Sequence, residues 1–264
     1  MWSPRILLAT TVCLMTSFST AICLAEIRSK EIEYQAGTVK SKGTIFWNDE
    51  IQGRRPGVLV VHEWWGLDDY AKNRALKLAE AGYVAFACDM YGEGKTTQHP
   101  KDAGTMATSV RSNQQEWLAR ANAALDVLKK DEHVNPEHLV AIGYCFGGST
   151  VLQLALKGSD LDAVISYHGA LPKVTPEEAG QVKAKVLVFH GADDAFIPKE
   201  VVEQFQTSFK GPGNQLTFVS FPGVRHSFTV PDAGKHGIEG MKYDEQADKT
   251  SWQATLDLLS KLSK

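Results

Sequence analysis

The sequence predicts an α/β fold in which a mostly parallel sheet is covered by helices on both faces. Short apolar runs alternate with helical patterns after about residue 56, which is typical of βαβ units. The runs are apolar almost throughout, as expected of strands that are buried on both faces. The chain has 264 residues, of which 43% are hydrophobic and 22% charged, and this suffices for one large domain of this kind.

Six apolar runs are predicted as the strands of the parallel part of the sheet. They are residues 58–61, 84–88, 139–142, 163–167, 186–189 and 216–219. Apolar side chains at helical spacing predict four helices between or after these strands. They are residues 70–81, 114–129, 199–209 and 242–262. Residues 32–34 and 44–47 precede these elements and alternate in polarity, which predicts an antiparallel hairpin or sheet edge.

The first 25 residues are predicted to be a secretory signal peptide. Arg5 is their only charged side chain, residues 6–15 are largely apolar, and small residues end the segment at a cleavage site. A membrane anchor is the alternative, but the apolar core is shorter than the roughly 20 residues that a span needs. Lipidation at Cys23 is a second alternative, which the bulky Ile22 disfavours.

We therefore expect an exported protein, periplasmic or secreted, with no stable membrane association after cleavage. Residues 26–264 are expected to form a single domain. The formal net charge is only −3, which gives no basic surface for nucleic acid. A small molecule is the expected partner. The chain contains no H-x-x-x-H or C-x-x-C spacing, so neither a metal nor another cofactor is expected.

One cysteine lies in a glycine-rich segment between a predicted strand and a helical pattern. The segment reads Gly143-Tyr144-Cys145-Phe146-Gly147-Gly148. Such a strand, turn and helix are typical of a nucleophile elbow, where the flanking glycines allow strand and helix to approach closely. The helix N-terminus favours thiolate over thiol at its end. Cys145 is therefore the candidate nucleophile, and a buried structural cysteine is the alternative.

A cysteine nucleophile needs a base that takes its proton and an acid that orients the base. Asp194 follows the predicted strand 186–189, and His226 follows the predicted strand 216–219. The order Cys145, Asp194, His226, with each residue on a loop after a strand, is the order found in α/β-hydrolases. Asp193 is the rival for the acid. His168 and His190 also end strands and are expected to pack or hydrogen-bond near the site.

At these residues the chain resembles the dienelactone hydrolase family of α/β-hydrolases. The matching motifs are residues 61–66, 88–91, 143–148, 191–198 and 226–228, and the resemblance covers essentially the whole mature domain. It implies the α/β-hydrolase fold, Cys145 as nucleophile, His226 as base and Asp194 as orienting acid. It also implies a cofactor-free hydrolase of carboxylic esters or lactones, similar to a carboxymethylenebutenolidase.

The resemblance further implies a role for Glu63, whose carboxylate would hold the resting cysteine or help to move its proton. Glu63 directly follows a buried strand and is flanked by Trp64 and Trp65, so poor solvation is expected to raise its pKa. A structural partner for a backbone group or an arginine is the alternative. The backbone N–H groups of Trp64 and Phe146 are predicted to form the oxyanion hole.

The candidate substrate-binding residues are Trp65, Tyr91, Phe196 and Val230. The sequence does not decide whether the tryptophan side chains line a pocket or belong to the core. Related enzymes that open dienelactones carry an arginine four residues after the histidine, where this chain has Val230. Arg225 and Arg111 are possible substitutes. The hydrolase chemistry is therefore predicted, but dienelactone as the substrate is not.

Two other functions remain compatible with the scaffold, a non-catalytic ligand-binding protein and a thiol redox sensor. The complete set of nucleophile, acid and base favours the enzyme. A redox sensor needs a resolving thiol, and only Cys88 remains outside the predicted leader. Cys88 lies in the predicted strand 84–88 and is expected to be a small core residue.

Overall fold

A computed structural model describes residues 26–211, 213 and 215–262, and its strands form one eight-stranded sheet. The predicted signal peptide, residues 1–25, lies outside the described residues. The strands β1 to β8 are Ile27–Ala36, Val39–Asn48, Arg55–Val61, Val84–Cys88, Val134–Tyr144, Ala163–Tyr167, Lys185–Gly191 and Leu216–Phe221.

The sheet is mostly parallel, as predicted. Its strand order is β1-β2-β4-β3-β5-β6-β7-β8. The first two strands form the expected antiparallel hairpin, and β2 also pairs antiparallel with β4. All other neighbouring strands are parallel. The carboxyl ends of β3, β5, β6, β7 and β8 therefore lie along the same edge, where their loops can build a common site.

Helices cover both faces of the sheet. The helices α1 to α7 are Asp69–Glu80, Pro100–Arg111, Gln114–Lys130, Phe146–Leu156, Pro176–Gln181, Lys199–Ser208 and Glu245–Leu262. Buried residues of α1 and α7 pack on one face with Val58 and Val60, whereas α2 to α6 pack on the other with Leu59 and Val61. This alternation along β3 follows from the two-residue period of a strand. Among the described helices, none combines the length and apolarity of a membrane span.

Three helical features differ from the sequence prediction. The helices α2 and α5 were not predicted, and α7 begins at Glu245, not at residue 242. Poor helix formers occupy several positions of α2, but Ala103, Ala107 and Val110 are buried at helical spacing, so tertiary packing decides its structure. The start of α7 is set by Asp244, whose carboxylate accepts the Ala247 N–H at 2.8 Å.

Candidate active site

Cys145 lies on a strained turn between β5 and α4. Its φ is 50°, in the left-handed region that non-glycine residues rarely adopt. A Cβ at Gly143 would overlap the carbonyl of Gly147, and a Cβ at Gly147 would overlap the carbonyl of Val61. The glycines are therefore required because β5, α4 and β3 approach one another too closely for side chains. The side chain of Cys145 sits at the N-terminus of α4 and is partly exposed.

His226 and Asp194 are in direct contact. The ring Nδ1 of His226 lies 2.6 Å from Oδ2 of Asp194, and both residues are buried. The second carboxylate oxygen of Asp194 accepts the Phe196 N–H at 2.9 Å, which fixes the orientation of the acid. Asp193 is exposed, and its backbone N–H donates to the Val224 carbonyl at 2.9 Å. The structure therefore brings Asp194, not its neighbour, to the imidazole.

His226 also interacts with the side chain of Cys145. Burial on its own would lower the pKa of His226. The charges of Cys145 and Asp194, together with hydrogen bonding to their side chains, outweigh burial, so the pKa of His226 stands well above its usual value. This environment therefore favours the protonated form of His226, the imidazolium.

Glu63 is a buried acid beside this group, with only 2% of its surface exposed. The Ser227 hydroxyl donates to its Oε1 at 2.9 Å, and Nδ1 of His168 lies 3.7 Å from the same oxygen. Burial raises the pKa of Glu63 to about 7, although the His226 charge and the hydrogen bond from Ser227 oppose the rise. The raised pKa expected from the sequence agrees with this environment, and its main cause is desolvation.

The two predicted oxyanion-hole residues lie on neighbouring loops. The Gly147 N–H donates to the His62 carbonyl at 3.0 Å, which ties the start of α4 to the loop after β3. The Tyr91 hydroxyl donates to the Trp64 carbonyl at 3.0 Å and holds that loop from the other side. Within the described part of the chain, the N–H groups of Trp64 and Phe146 have no backbone acceptor. Both donors are therefore free for a ligand oxygen.

The candidate substrate-binding residues occupy different positions. Phe196 is 53% exposed and packs edge-on against His226, with ring centroids 5.2 Å apart. Tyr91 is buried, and its ring centroid lies 5.5 Å from that of Phe146, the residue after Cys145. Phe196 therefore lies at His226, and Tyr91 lies beside the turn that carries Cys145.

Trp65 and Val230 belong to the same cluster of apolar side chains. They share it with Ala103, Ala233 and Met241, so Trp65 is a core residue. They also line a cavity of about 590 Å³ whose walls include none of Cys145, Glu63, Asp194 and His226.

The two arginines considered as substitutes are placed differently. Arg111 donates to the Ser149 hydroxyl at 3.1 Å, and its guanidinium lies 5.1 Å from the centre of the ring of Phe146, the residue after Cys145. Arg225 is exposed and donates to the Glu239 carbonyl at 3.1 Å. Of the two, Arg111 is therefore the cation that is held close to Cys145.

Sequence reasoning did not single out Ser227 or Thr229, which follow His226 on the same loop. Ser227 binds Glu63, and the Thr229 hydroxyl lies 2.9 Å from Nε2 of His168. Their only signal in the sequence was proximity to His226. His168 was expected near the site and is there, fully buried at the end of β6.

Both described cysteines are free thiols. Cys88 is fully buried in β4, and burial raises its pKa, which makes it an inert core residue. In the described ranges, no three His, Cys, Asp or Glu side chains are grouped to hold a metal ion.

A mostly parallel sheet with helices on both faces, and a strained turn between β5 and α4 near an imidazole on a later loop, are the arrangement of an α/β-hydrolase. The comparisons with known proteins are more specific. The chain belongs to the dienelactone hydrolase family, whose model matches residues 43–263.

Three similar proteins illustrate this membership. The protein usf of Aquifex pyrophilus is 31% identical over 205 residues, which cover 75% of this chain and 85% of the relative. A protein of Aquifex aeolicus, provisionally named carboxymethylenebutenolidase, is 30% identical over 203 residues, which cover 75% of this chain and 85% of the relative. The solved structure of a dienelactone hydrolase-like promiscuous phosphotriesterase from metagenomic libraries is 35% identical to this chain, with a TM-score of 0.86. The match covers 90% of this chain and 99% of that protein. The protein is thus a hydrolase of this family.

Proposed function

We propose that the protein is an exported hydrolase of carboxylic esters or lactones that uses Cys145 as a covalent nucleophile. One observation carries the proposal: His226 Nδ1 lies 2.6 Å from Asp194 Oδ2, and Cys145 and Asp194 together hold the pKa of His226 well above its usual value. A thiolate beside an imidazolium is the reactive form of a cysteine nucleophile. Membership of a hydrolase family supports the same reaction.

In the proposed acylation step, the Cys145 thiolate attacks the ester or lactone carbonyl carbon. The carbonyl electron pair moves onto oxygen, where the N–H groups of Trp64 and Phe146 stabilise the negative charge. The tetrahedral intermediate collapses as the carbon–oxygen bond breaks. The His226 imidazolium gives its proton to the leaving alkoxide, which forms an acyl-enzyme and the alcohol.

Water then completes the proposed cycle. Neutral His226 removes a proton from water, and the resulting hydroxide attacks the thioester carbonyl. The proton from water restores the imidazolium, and collapse of the second intermediate breaks the carbon–sulfur bond, which expels the Cys145 thiolate and releases the carboxylic acid. Asp194 orients the ring throughout and stabilises its positive charge, and it does not change its own protonation state.

We assign Glu63 to proton handling beside the thiol. Its pKa of about 7 places the carboxyl group between its two protonation states near neutral pH. Such a group exchanges protons with little driving force in either direction. We further propose export, because the first 25 residues have the pattern of a secretory signal. Mass spectrometry of the secreted or periplasmic protein tests this, and a soluble exported chain that begins at Met1 contradicts it.

The substrate is proposed to be a neutral lactone or short ester. Val230 packs in an apolar cluster and supplies no positive charge, so one cation that could pair with a substrate carboxylate is missing. Neutral lactones should therefore equal or exceed a carboxylate-bearing dienelactone in kcat/KM. A strong preference for the carboxylate would contradict this proposal, and its loss in Arg111→Gln would then identify Arg111 as the anchor.

A second activity, phosphotriester hydrolysis, is supported by the relative described as a promiscuous phosphotriesterase, which is 35% identical to this chain. An aryl phosphotriester assayed beside an aryl ester tests it. Release of the aryl alcohol from both, abolished in Cys145→Ala, supports one shared nucleophile. Turnover of the ester alone would remove the second activity.

The main experiment is a turnover screen of lactones and short aryl esters with the protein that begins at residue 26. Wild type should release product with a rate that Cys145→Ala lowers by several orders of magnitude, because the nucleophile and its base act as a unit. Circular dichroism of both proteins should be the same. Equal turnover by a folded Cys145→Ala variant would refute the assignment.

A further inference from the structure

Unusual backbone conformations converge at the candidate active site. Among the described residues, four non-glycine residues have positive φ, and three of them are Cys145 at 50°, His168 at 40° and Ser227 at 53°. Both His168 and Ser227 lie next to Glu63. Strained backbone persists where the surrounding contacts hold it in place, and it occurs preferentially at functional sites. Cys145 is the proposed nucleophile and Ser227 binds the Glu63 carboxylate, whereas His168 has no task in the proposed mechanism.

The ring of His168 connects two loops. Its Nδ1 accepts the backbone N–H of Cys145 at 3.2 Å, an N–H that also donates to the Tyr167 carbonyl at 3.0 Å. Its Nε2 lies 2.9 Å from the hydroxyl of Thr229. Since Nδ1 accepts a hydrogen bond, Nε2 must carry the proton of the neutral ring and donate it to Thr229. One contact therefore reaches the turn that carries Cys145, and the other reaches the loop after β8 that carries His226 and Thr229.

The surroundings of His168 keep its ring neutral. Complete burial lowers its pKa well below the usual value, and the positive charges of His226 and Arg74 lower it further. The rings of His168 and His226 are only 5.1 Å apart. A charged His168 would oppose the imidazolium on His226, whereas a neutral ring fills the space without adding a charge.

We propose that His168 is a positioning residue that holds the Cys145 turn and the His226 loop in a fixed relative position. The inference rests on the proposed function, because it assumes that Cys145 and His226 react as a pair. The two residues come from loops after different strands, β5 and β8, and small displacements between reacting groups are costly. The contacts of His168 span the gap between these loops with two hydrogen bonds.

The sharpest test removes the contact at the loop of the base. Thr229→Val replaces the hydroxyl with a methyl group of similar size, and Thr229→Ser restores the hydroxyl. We expect Thr229→Val to lower kcat by about tenfold or more with KM within about twofold, as for a displaced reacting group. Thr229→Ser should recover most of the loss. A general packing role would instead make the two variants differ in stability but not in kcat.

A second pair tests the contact at the nucleophile. In His168→Asn the amide oxygen takes the place of Nδ1 and can still accept the Cys145 N–H, whereas in His168→Gln the amide reaches only the place of Nε2. We expect the asparagine variant to retain more kcat after both are measured well below their melting temperatures. The rate at which iodoacetamide alkylates Cys145 is a second readout that needs no substrate. This rate should be highest in wild type, lower in His168→Asn and lowest in His168→Gln.

Tyr70→Phe is the matched control. The Tyr70 hydroxyl lies 2.6 Å from the Thr229 hydroxyl, so its removal disturbs the same threonine but leaves the contact between His168 and Thr229. This variant should lose stability and keep kcat within about twofold.

The outcomes separate the inference from the proposed function. If wild type shows no turnover that depends on Cys145, the proposed function fails, and with it the premise of the inference. If wild type depends on Cys145 but folded Thr229→Val and His168→Gln match it in kcat and in alkylation rate, only the role of His168 is refuted. Reduced kcat and alkylation in both, with rescue in Thr229→Ser, support it.

Discussion

Glu63→Gln should change how the stability of the protein depends on pH. The side chain is buried, and desolvation raises its pKa from 4.5 to about 7. The folded state therefore holds the Glu63 proton more tightly than the unfolded state does. This contribution to stability is fully present below the unfolded pKa and is lost as the pH rises through about 7.

The magnitude follows from the same two values. A rise from 4.5 to about 7 corresponds to about 3 kcal/mol at roughly 1.4 kcal/mol per pKa unit. Glutamine cannot titrate, so Glu63→Gln lacks this term at every pH. The free energy of unfolding of wild type minus that of the variant should therefore fall by about 3 kcal/mol between about pH 4 and about pH 8.

Urea denaturation of both proteins across this range measures the difference directly. Other titrating groups, including His226, remain in both proteins, so the comparison isolates the carboxyl group of Glu63 to first order. Glu200→Gln, at an exposed position on α6, is the matched control and should give a difference that stays nearly constant. A constant difference for Glu63→Gln would refute the argument from desolvation. A difference that rises with pH would show that the pKa of Glu63 is lowered, not raised, in the folded state.

Two further predictions concern ion pairs. Asp194→Asn should lower kcat roughly a hundredfold or more because the imidazole loses its orientation. Asp193→Asn, at an exposed position, should keep kcat within about twofold. The reverse order in steady-state assays would show that Asp193 is the orienting acid. Arg74 is buried and lies 2.5 Å from Asp248. Arg74→Met should cost about 3–5 kcal/mol in urea denaturation, since it leaves a carboxylate unpaired. Lys199→Met, in a surface ion pair, should change little, and equal losses would contradict the argument.

The sequence was most informative where one local rule decided the structure. Continuous apolar runs identified the six strands of the parallel part, since burial on both faces leaves no position for polar side chains. The elbow was predictable because the glycines at 143 and 147 have a direct steric cause in the close contact of β3, β5 and α4. The contact between Asp194 and His226 followed from the parallel order of the strands, which brings their loops to one edge.

The parts that were not predicted depend on contacts between distant segments. Helix α2 has weak helical propensity and forms because Ala103, Ala107 and Val110 are buried against the rest of the protein. The position of Val230 in one cluster with Trp65 depends on the path of the loop after His226. The links of His168 to Cys145 and Thr229 join residues 23 and 61 positions away in sequence, which no local pattern specifies.

The central claim is that Cys145 carries the acyl group. Intact-mass spectrometry during turnover of a slowly deacylated aryl ester tests it most directly, followed by digestion to locate the modification. We predict a mass increase equal to the acyl group, found on the peptide that contains Cys145, formed within the burst of aryl alcohol and absent from Cys145→Ala. Rapid turnover with no covalent adduct, or an adduct of equal amount on the Cys145→Ala protein, would contradict the account.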